Sequence, residues 1–493
     1  MLADAGARAG NATALVCEDR RLTYAEYDRC VAGFSAELVD LGARGNRVAL
    51  VCGNSIEMCV ATFAGHAAGA QIVPINPIYT ARELTHILAD SEPVAILYDT
   101  TSAGTVEPLA KKLGIQKLVM VGNGARLLDT WKDDVSSTLA ANLPLPGDLA
   151  TLQYTGGTTG LPKGVNITHG QLSINLSQRE AVLPTRPEDE SVLCVMPLFH
   201  VFAVNMCLHL TAFCRGKLVI LPQYKPALVF DAIVRERITR LPAGPTVFIG
   251  LIGADGFKDT DFSSVRTAYS GSAPLPEEVL KRWETLTGSR ILEGYGQSEA
   301  GPVLTYIGEN MKVAPGSVGP ALPLTEIQIV DVDTGTKILG PGEIGEIRAR
   351  GPQIMSGYRN RPEETAQALR DGWLYTGDIG ELDEIGYLYI RDRKKDMIIT
   401  GGYNVYPREI EEVLYLHPDV HEAAAIGLPD DYRGEVIKAF VALKQESRTT
   451  VGDIKSHCEK NLAKYKVPAI IEIVPKVART TVGKIDKKAL RAI

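Results

Sequence analysis

Apolar and polar positions follow two rhythms along the first third of the chain. "TYAEYDRCVAGFSAELVDLG" (Thr23–Gly42) repeats its apolar residues at helical spacing and runs into a glycine that suits a C-cap. "RVALVC" (Arg47–Cys52) is a short apolar run of the kind that fills a buried strand. "SIEMCVATFAGHAAGA" predicts a second helix and "QIVPIN" a second strand. "VAILYD" and "KLVMV" follow as strands, with the helix pattern "VEPLAKKLG" between them. This alternation predicts parallel-type sheets wrapped by helices, an α/β fold. "LATLQYT" (Leu149–Thr155) continues the series as a strand.

From about Thr325 the pattern changes. "EIQIVD", "GEIGEIRARG" and "GYLYIRDR" read as short strands with turn glycines, an antiparallel β module. After the charged "RDRKKD", a helix opened by proline ("PREIEEVLYLH"), two strands ("EAAAIGLP", "IKAFVALK") and a further helix ("VGDIKSHCEKNLAKY") make a small α+β unit. We place the boundary there, giving a large N-terminal domain over residues 1–394 and a C-terminal domain over 395–493. A chain of 493 residues exceeds what one core holds, which fits this division.

The formal net charge of −7 argues against general nucleic-acid binding. Its distribution is uneven: residues 391–493 carry more basic than acidic side chains. Lys476, Arg479, Lys484, Lys487, Lys488 and Arg491 cluster near the end. Such a cluster is either a solvated face or a seat for a small polyanion. The eight cysteines form no C-x-x-C pair and sit among apolar residues, the pattern of buried reduced thiols. No apolar run approaches the ~18 residues needed to span a membrane. Neither a signal-peptide pattern at the start nor a Ser-Lys-Leu address at the end is present, so a cytoplasmic location is expected.

The chemistry concentrates in a few stretches. "YTGGTTGLPKG" (Tyr154–Gly164) sets four glycines beside Thr155, Thr158, Thr159 and Lys163. Successive N–H groups in a glycine-rich turn form an anion nest, and hydroxyls plus a lysine suit a phosphate. Pro162 before Lys163 and Gly164 after it depart from the P-loop pattern. "PLFHVFAVN" carries His200, "SGSAPL" is a small-residue turn, "EGYGQSEAGPV" joins an aromatic to a serine and a carboxylate, and "GWLYTGDIG" ends in Asp378. "RDRKKDMIITGGYNVYPREIEEVL" and "TTVGKIDKKAL" complete the set.

In this order, from about Leu22 to Leu490, these stretches resemble the acyl-adenylate-forming superfamily: acyl-CoA synthetases, peptide-synthetase adenylation domains and luciferases. "LQYTGGTTG", "FHVFA" and "LEGYGQSEAGPV" look most like bacterial fatty acyl-CoA ligases, and "YGQSEAGPVL" also like coumarate-CoA ligases. The resemblance implies ATP, Mg²⁺ and coenzyme A, with a small carboxylic acid as the other substrate. It implies acyl-AMP plus pyrophosphate, then acyl-CoA plus AMP. A medium- or long-chain fatty acid is the expected acid and a hydroxycinnamate or other aryl acid the alternative. A free-standing adenylation domain, a luciferase-like oxidation and an inactive nucleotide-binding homologue are further readings.

The resemblance also implies roles. Thr155, Gly156, Gly157, Thr158, Thr159, Gly160 and Lys163 hold the β- and γ-phosphates. Gly271, Ser272, Ala273, Tyr295 and Gly296 surround the adenine, while Asp378 and Arg393 take the ribose. Ser298, where the family usually has threonine, contacts the α-phosphate, and Glu299 holds the metal. His200 gates the acyl carboxylate and Lys484 bridges it to the α-phosphate. Phe202, Met206, Val247, Ser272, Gly294 and Val303 line the acyl pocket, with no cation awaiting a second carboxylate. Lys395 is the hinge about which the small domain turns between the two steps, exchanging Lys484 for Gly401, Gly402 and Tyr403 at the pantetheine arm. Gly156 replaces a common serine, and "GKIDKKAL" puts Asp486 near Lys484, which reads as surface variation.

Overall fold

The structure, a computed structural model, describes residues 1–122, 124–139, 143–155, 162–312, 314–400, 403–430, 432–480 and 484–492. Among these residues the strands form four sheets. In the seven-stranded sheet, Gln71–Pro74, Arg47–Val51, Ala95–Asp99 and Lys117–Val121 run parallel; the first three are largely buried, as their apolar runs predict, while Lys117–Val121 at the edge buries only Val121. Leu149–Thr155 joins them parallel to Gln71–Pro74. Its other edge pairs antiparallel with Lys163–Thr168, and Gly357–Tyr358 adds a short outer strand. The glycine stretch therefore connects two antiparallel neighbours rather than leading from a strand into a helix. The short alternating Lys163–Thr168 strand was not expected from the sequence.

The eight-stranded sheet is parallel through Thr13–Cys17, Lys217–Ile220, Ser191–Cys194, Arg240–Ala243, Thr267–Ser270 and Arg290–Gly296, with antiparallel Arg20–Thr23 and Val303–Tyr306 at its ends. Helices pack against these sheets, and their starts are set locally. Thr23 accepts from the Glu26 N–H while the Glu26 carboxylate takes the Thr23 N–H at 2.7 Å, a reciprocal cap on helix Tyr24–Asp40. Thr168 and Gln171 repeat the device on His169–Val182. The later module is antiparallel as expected: Glu326–Val330, Gly345–Arg350, Trp373–Leu382 and Leu388–Arg393.

Beyond it, Ile398–Thr400, Tyr403–Val405, Val420–Asp430, Gly434–Leu443 and Ile470–Ile473 form the fourth sheet around its own apolar cluster, which includes Ile410, Leu414 and Ile454. All eight cysteines are unpaired and buried. No helix of the described residues is long and apolar enough to cross a membrane.

Three members of the basic tail cluster are held in ion pairs, while Lys476 and Lys488 are exposed. Arg479 meets Glu422 at 2.9 Å, Lys487 meets Glu411 at 3.2 Å and Arg491 meets Asp396 at 2.9 Å. These three paired groups tie elements of the small unit to one another. Asp486 has a structural reason too: its carboxylate accepts from the Ala489 N–H at 3.0 Å and caps the last helical turn, Lys487–Arg491.

Candidate active site

Three of the sheets deliver their loops to one place. Tyr358, from the edge of the seven-stranded sheet, donates its hydroxyl to Glu299 at 2.8 Å. Glu299 lies in the turn Ser298–Ala300 that follows Arg290–Gly296 of the eight-stranded sheet. Tyr295, near the end of that strand, donates its hydroxyl to Asp378 at 2.6 Å, and Asp378 sits within Trp373–Leu382 of the antiparallel module. Loops beyond the carboxyl ends of parallel strands are the ligand-binding edge of such sheets.

Asp378 is buried to 4% exposure, and the Arg393 guanidinium lies 3.2 Å from it, half exposed. They are opposed in register on neighbouring antiparallel strands, which fixes the pair. Asp378 holds the Arg393 charge in place, while burial and that same carboxylate push the Tyr295 phenol up. The approach of the two chain segments at Gly296 is as close as backbone allows. A Cβ there would stand 1.9 Å from the Pro302 carbonyl oxygen, so only glycine fits. The Gly271–Ser272–Ala273 turn follows Thr267–Ser270, with Ser272 at φ +70°, a conformation held by its surroundings rather than by preference.

Lys484 comes into this site from the other end of the sequence. Its ammonium is lowered to about 8, mainly by burial and then by the Arg393 charge, with Asp378 and Glu299 opposing. His200 is lowered to about 3 by burial and by Lys484, so its ring is neutral. His200 caps the short helix Val201–Ala203, its Nδ1 accepting from the Phe202 N–H at 3.3 Å. The cation, the neutral imidazole, the two carboxylates and the arginine thus share one electrostatic environment.

Thr155 and Lys163 face each other across the strand pair, and the Lys163 Nζ stands 4.2 Å above the Tyr358 ring. Gly156, Gly157, Thr158, Thr159 and Gly160, and likewise Gly401 and Gly402, lie outside the described residues. Tyr403 is exposed and stacks on Tyr465 with ring centroids 4.5 Å apart. Lys395 is in the turn after Leu388–Arg393, where the Asp396 and Met397 N–H groups both donate to the Arg393 carbonyl.

Of the expected pocket residues, Met206 and Val303 share one apolar cluster with Tyr306 and Tyr269, and Phe202 packs against it. Val247 belongs to the adjoining core, which Phe202 also touches. At Gly294 a Cβ would come within 2.5 Å of the Tyr306 ring, so glycine is what lets that ring lie over the strand. Tyr306 was missed from sequence because nothing in "VLTYIG" marks it. Tyr358 was missed for the same reason: "SGYRNRPEET" contains no chemistry-bearing cluster. Among the described residues no group of three or more His, Cys, Asp or Glu side chains could hold a metal by itself. A single carboxylate such as Glu299, with the remaining oxygens supplied by nucleotide phosphates, is the usual arrangement for Mg²⁺.

Known proteins are similar to this chain in sequence and fold. The AMP-binding enzyme family profile matches residues 2–359, and the AMP-binding enzyme C-terminal domain profile matches residues 409–484. A long-chain-fatty-acid–CoA ligase from Bacillus subtilis (strain 168) is 36% identical over 525 residues, covering 99% of this chain and 93% of that protein. A feruloyl-CoA synthase from Amycolatopsis sp is 37% identical over 483 residues, covering 98% of this chain and 96% of that one. The crystal structure of ATP-bound MatB from Rhodopseudomonas palustris superposes with a TM-score of 0.92 at 32% identity, covering 100% of this chain and 98% of that chain.

Proposed function

The chain belongs to the AMP-binding enzyme family, among its AMP-forming acyl-CoA ligases, and from that premise we propose that it converts a medium- or long-chain fatty acid to its CoA thioester. The observation that carries the residue assignment is the presence of Lys484 in the same site as Asp378, Arg393, Glu299 and His200. In the first step a carboxylate oxygen attacks the α-phosphorus of ATP and the bond to pyrophosphate breaks. Two anions must approach, so a cation between them lowers the barrier. Lys484 is that cation. Ser298 offers a hydroxyl to the same phosphate, while Thr155, Lys163 and the glycine loop take the leaving pyrophosphate. Asp378 accepts from the ribose hydroxyls, with Arg393 beside it. Tyr295, Gly296 and the Gly271–Ala273 turn enclose the adenine. Glu299 fits Mg²⁺, which supplies charge neutralisation to the triphosphate. His200, neutral, adds no competing charge beside the acid.

In the second step the CoA sulfur attacks the acyl carbonyl carbon and AMP leaves. We assign Lys395 as the hinge between residues 1–394 and 395–493 that separates the two steps. Gly401, Gly402 and Tyr403 border the pantetheine arm.

The apolar cluster of Met206, Val303 and Phe202 supports an alkyl chain, as does the likeness to fatty acid ligases. The aryl-acid reading rests on the feruloyl-CoA synthase likeness. A panel of acids from acetate through long-chain fatty acids to hydroxycinnamates, scored by pyrophosphate release, tests the choice. Each buried CH₂ should gain roughly 0.8 kcal/mol until the pocket is full. Catalytic efficiency should then climb with chain length and level off. A flat response with high activity on coumarate would replace the fatty acid by an aryl acid.

The lowered Lys484 value gives a pH test. Below about pH 8 the ammonium is charged and competent; above it the charge is lost. The kcat/KM for ATP in acyl-AMP formation should fall about tenfold per unit on the alkaline side. CoA transfer from supplied acyl-AMP should lack that limb. A profile that stays flat well above this value would remove the lysine charge from the step.

A further inference from the structure

We propose that Tyr358 is a positioning residue for the first half-reaction, joining the carboxylate that holds Mg²⁺ to the lysine that holds the terminal phosphates. The inference rests on the roles proposed above for Glu299 and Lys163. The geometry behind it is direct. The Tyr358 hydroxyl donates to Glu299 Oε1 at 2.8 Å, and the Lys163 Nζ lies 4.2 Å from the centroid of the same ring. One side chain therefore contacts both charged groups through different parts of itself.

Its own placement is fixed from several directions. Tyr358 pairs with Val165 and Gly357 with Asn166, next to Lys163 on the same strand. The Arg359 N–H donates to the Gly164 carbonyl at 2.8 Å, extending that pairing by one residue. The Tyr358 N–H donates to the Thr365 hydroxyl at 2.9 Å, tying the strand to helix Pro362–Ala368. A donor on one oxygen orients the carboxylate and leaves the other oxygen for a cation. Loss of such outer partners typically costs 10–100-fold in metal affinity. The ring face keeps the lysine ammonium close through its quadrupole, without forming an ion pair that would neutralise it.

Two substitutions separate the two contacts. Tyr358→Phe keeps the ring and removes the hydroxyl; Tyr358→Leu removes both. Binding of a non-hydrolysable ATP analogue is measured by calorimetry over a series of Mg²⁺ concentrations, with thermal melting as the check on folding. Tyr358→Phe should raise the Mg²⁺ concentration for half-maximal tightening about tenfold and leave Mg²⁺-free binding as in the wild type. Tyr358→Leu should weaken Mg²⁺-free binding as well. If it fails to fold, the phenylalanine variant still decides the hydroxyl's role. Glu299→Gln distinguishes the two ways to fail. If Glu299→Gln loses the Mg²⁺ dependence and Tyr358→Phe does not shift it, the positioning role is overturned and the metal assignment stands. If Glu299→Gln leaves the Mg²⁺ dependence intact, the metal assignment falls and the role of Tyr358 falls with it.

Discussion

Replacing Lys484 with alanine should slow acyl-AMP formation by about 10²–10³ while sparing thioester formation from supplied acyl-AMP. The expectation follows from where the side chain lies and from what surrounds it. Lys484 is partly buried near Arg393, a like charge, and its ammonium is lowered to about 8. Asp378 and Glu299 offset part of that cost. Placing a lysine where burial opposes its charge is costly unless an anionic ligand completes the site. The triphosphate and the acyl carboxylate are such anions. Removing the ammonium leaves two negative groups to approach without it, so the first step carries the loss. The thiol attack releases AMP from a mixed anhydride already formed and does not need this cation. Separate assays of the two half-reactions give the answer, pyrophosphate exchange for the first and acyl-AMP consumption for the second. Equal losses in both would mean that Lys484 supports the fold or acts in both steps.

How much of this was legible in the sequence depended on how local each signal is. Helix Tyr24–Asp40 was readable because its cap, its periodicity and its terminating glycine all lie within one segment. The buried parallel strands of the seven-stranded sheet were readable because burial on both faces writes a continuous apolar run, whereas those of the eight-stranded sheet were not read. The pairing of Leu149–Thr155 with Lys163–Thr168 was not, because a partner strand is defined by contact across the chain rather than by its own composition. The site residues divide in the same way. Asp378, Glu299 and Lys484 stand in stretches dense with glycine and hydroxyl residues, and the motif gives them away. Tyr358 works through a contact made across two sheets and Tyr306 through packing against neighbouring strands of its own sheet, and no window of neighbouring residues records either contact. The basic tail left two readings open, a solvated face or a polyanion seat, and in three dimensions Arg479, Lys487 and Arg491 each have an acidic partner. Linear charge density does not say which charges are already paired.

Lys395→Pro should separate the two half-reactions, with acyl-AMP formation taking a loss of up to about 10² and CoA transfer from supplied acyl-AMP staying within a few-fold of wild type. The turn around Lys395 sets the direction. The Asp396 N–H donates to the Arg393 carbonyl at 2.9 Å and the Met397 N–H donates to the same oxygen at 3.1 Å, a helical turn with Lys394 and Lys395 inside it. The Lys394 N–H donates to the Gly377 carbonyl at 3.0 Å, anchoring the turn beside Asp378. Proline at 395 would fix its own φ near −65° and drive Lys394 away from helical torsions. That conflicts with the turn that accompanies Lys484 in the site. Proline is disfavoured at the third position of such a turn because it forces the preceding residue out of the helical region; strain of about 1–3 kcal/mol in the lysine-in conformer, at about 1.4 kcal/mol per tenfold, corresponds to a shift of up to roughly 10². Lys395→Ala removes the charge and leaves the torsions free, so its effect should stay within a few-fold. Rotation of a domain is absorbed by torsions at one or two residues, which is why the backbone rather than the side chain decides the outcome. Equal and mild losses in the proline and alanine variants would place the hinge, and with it the boundary between residues 1–394 and 395–493, at another turn.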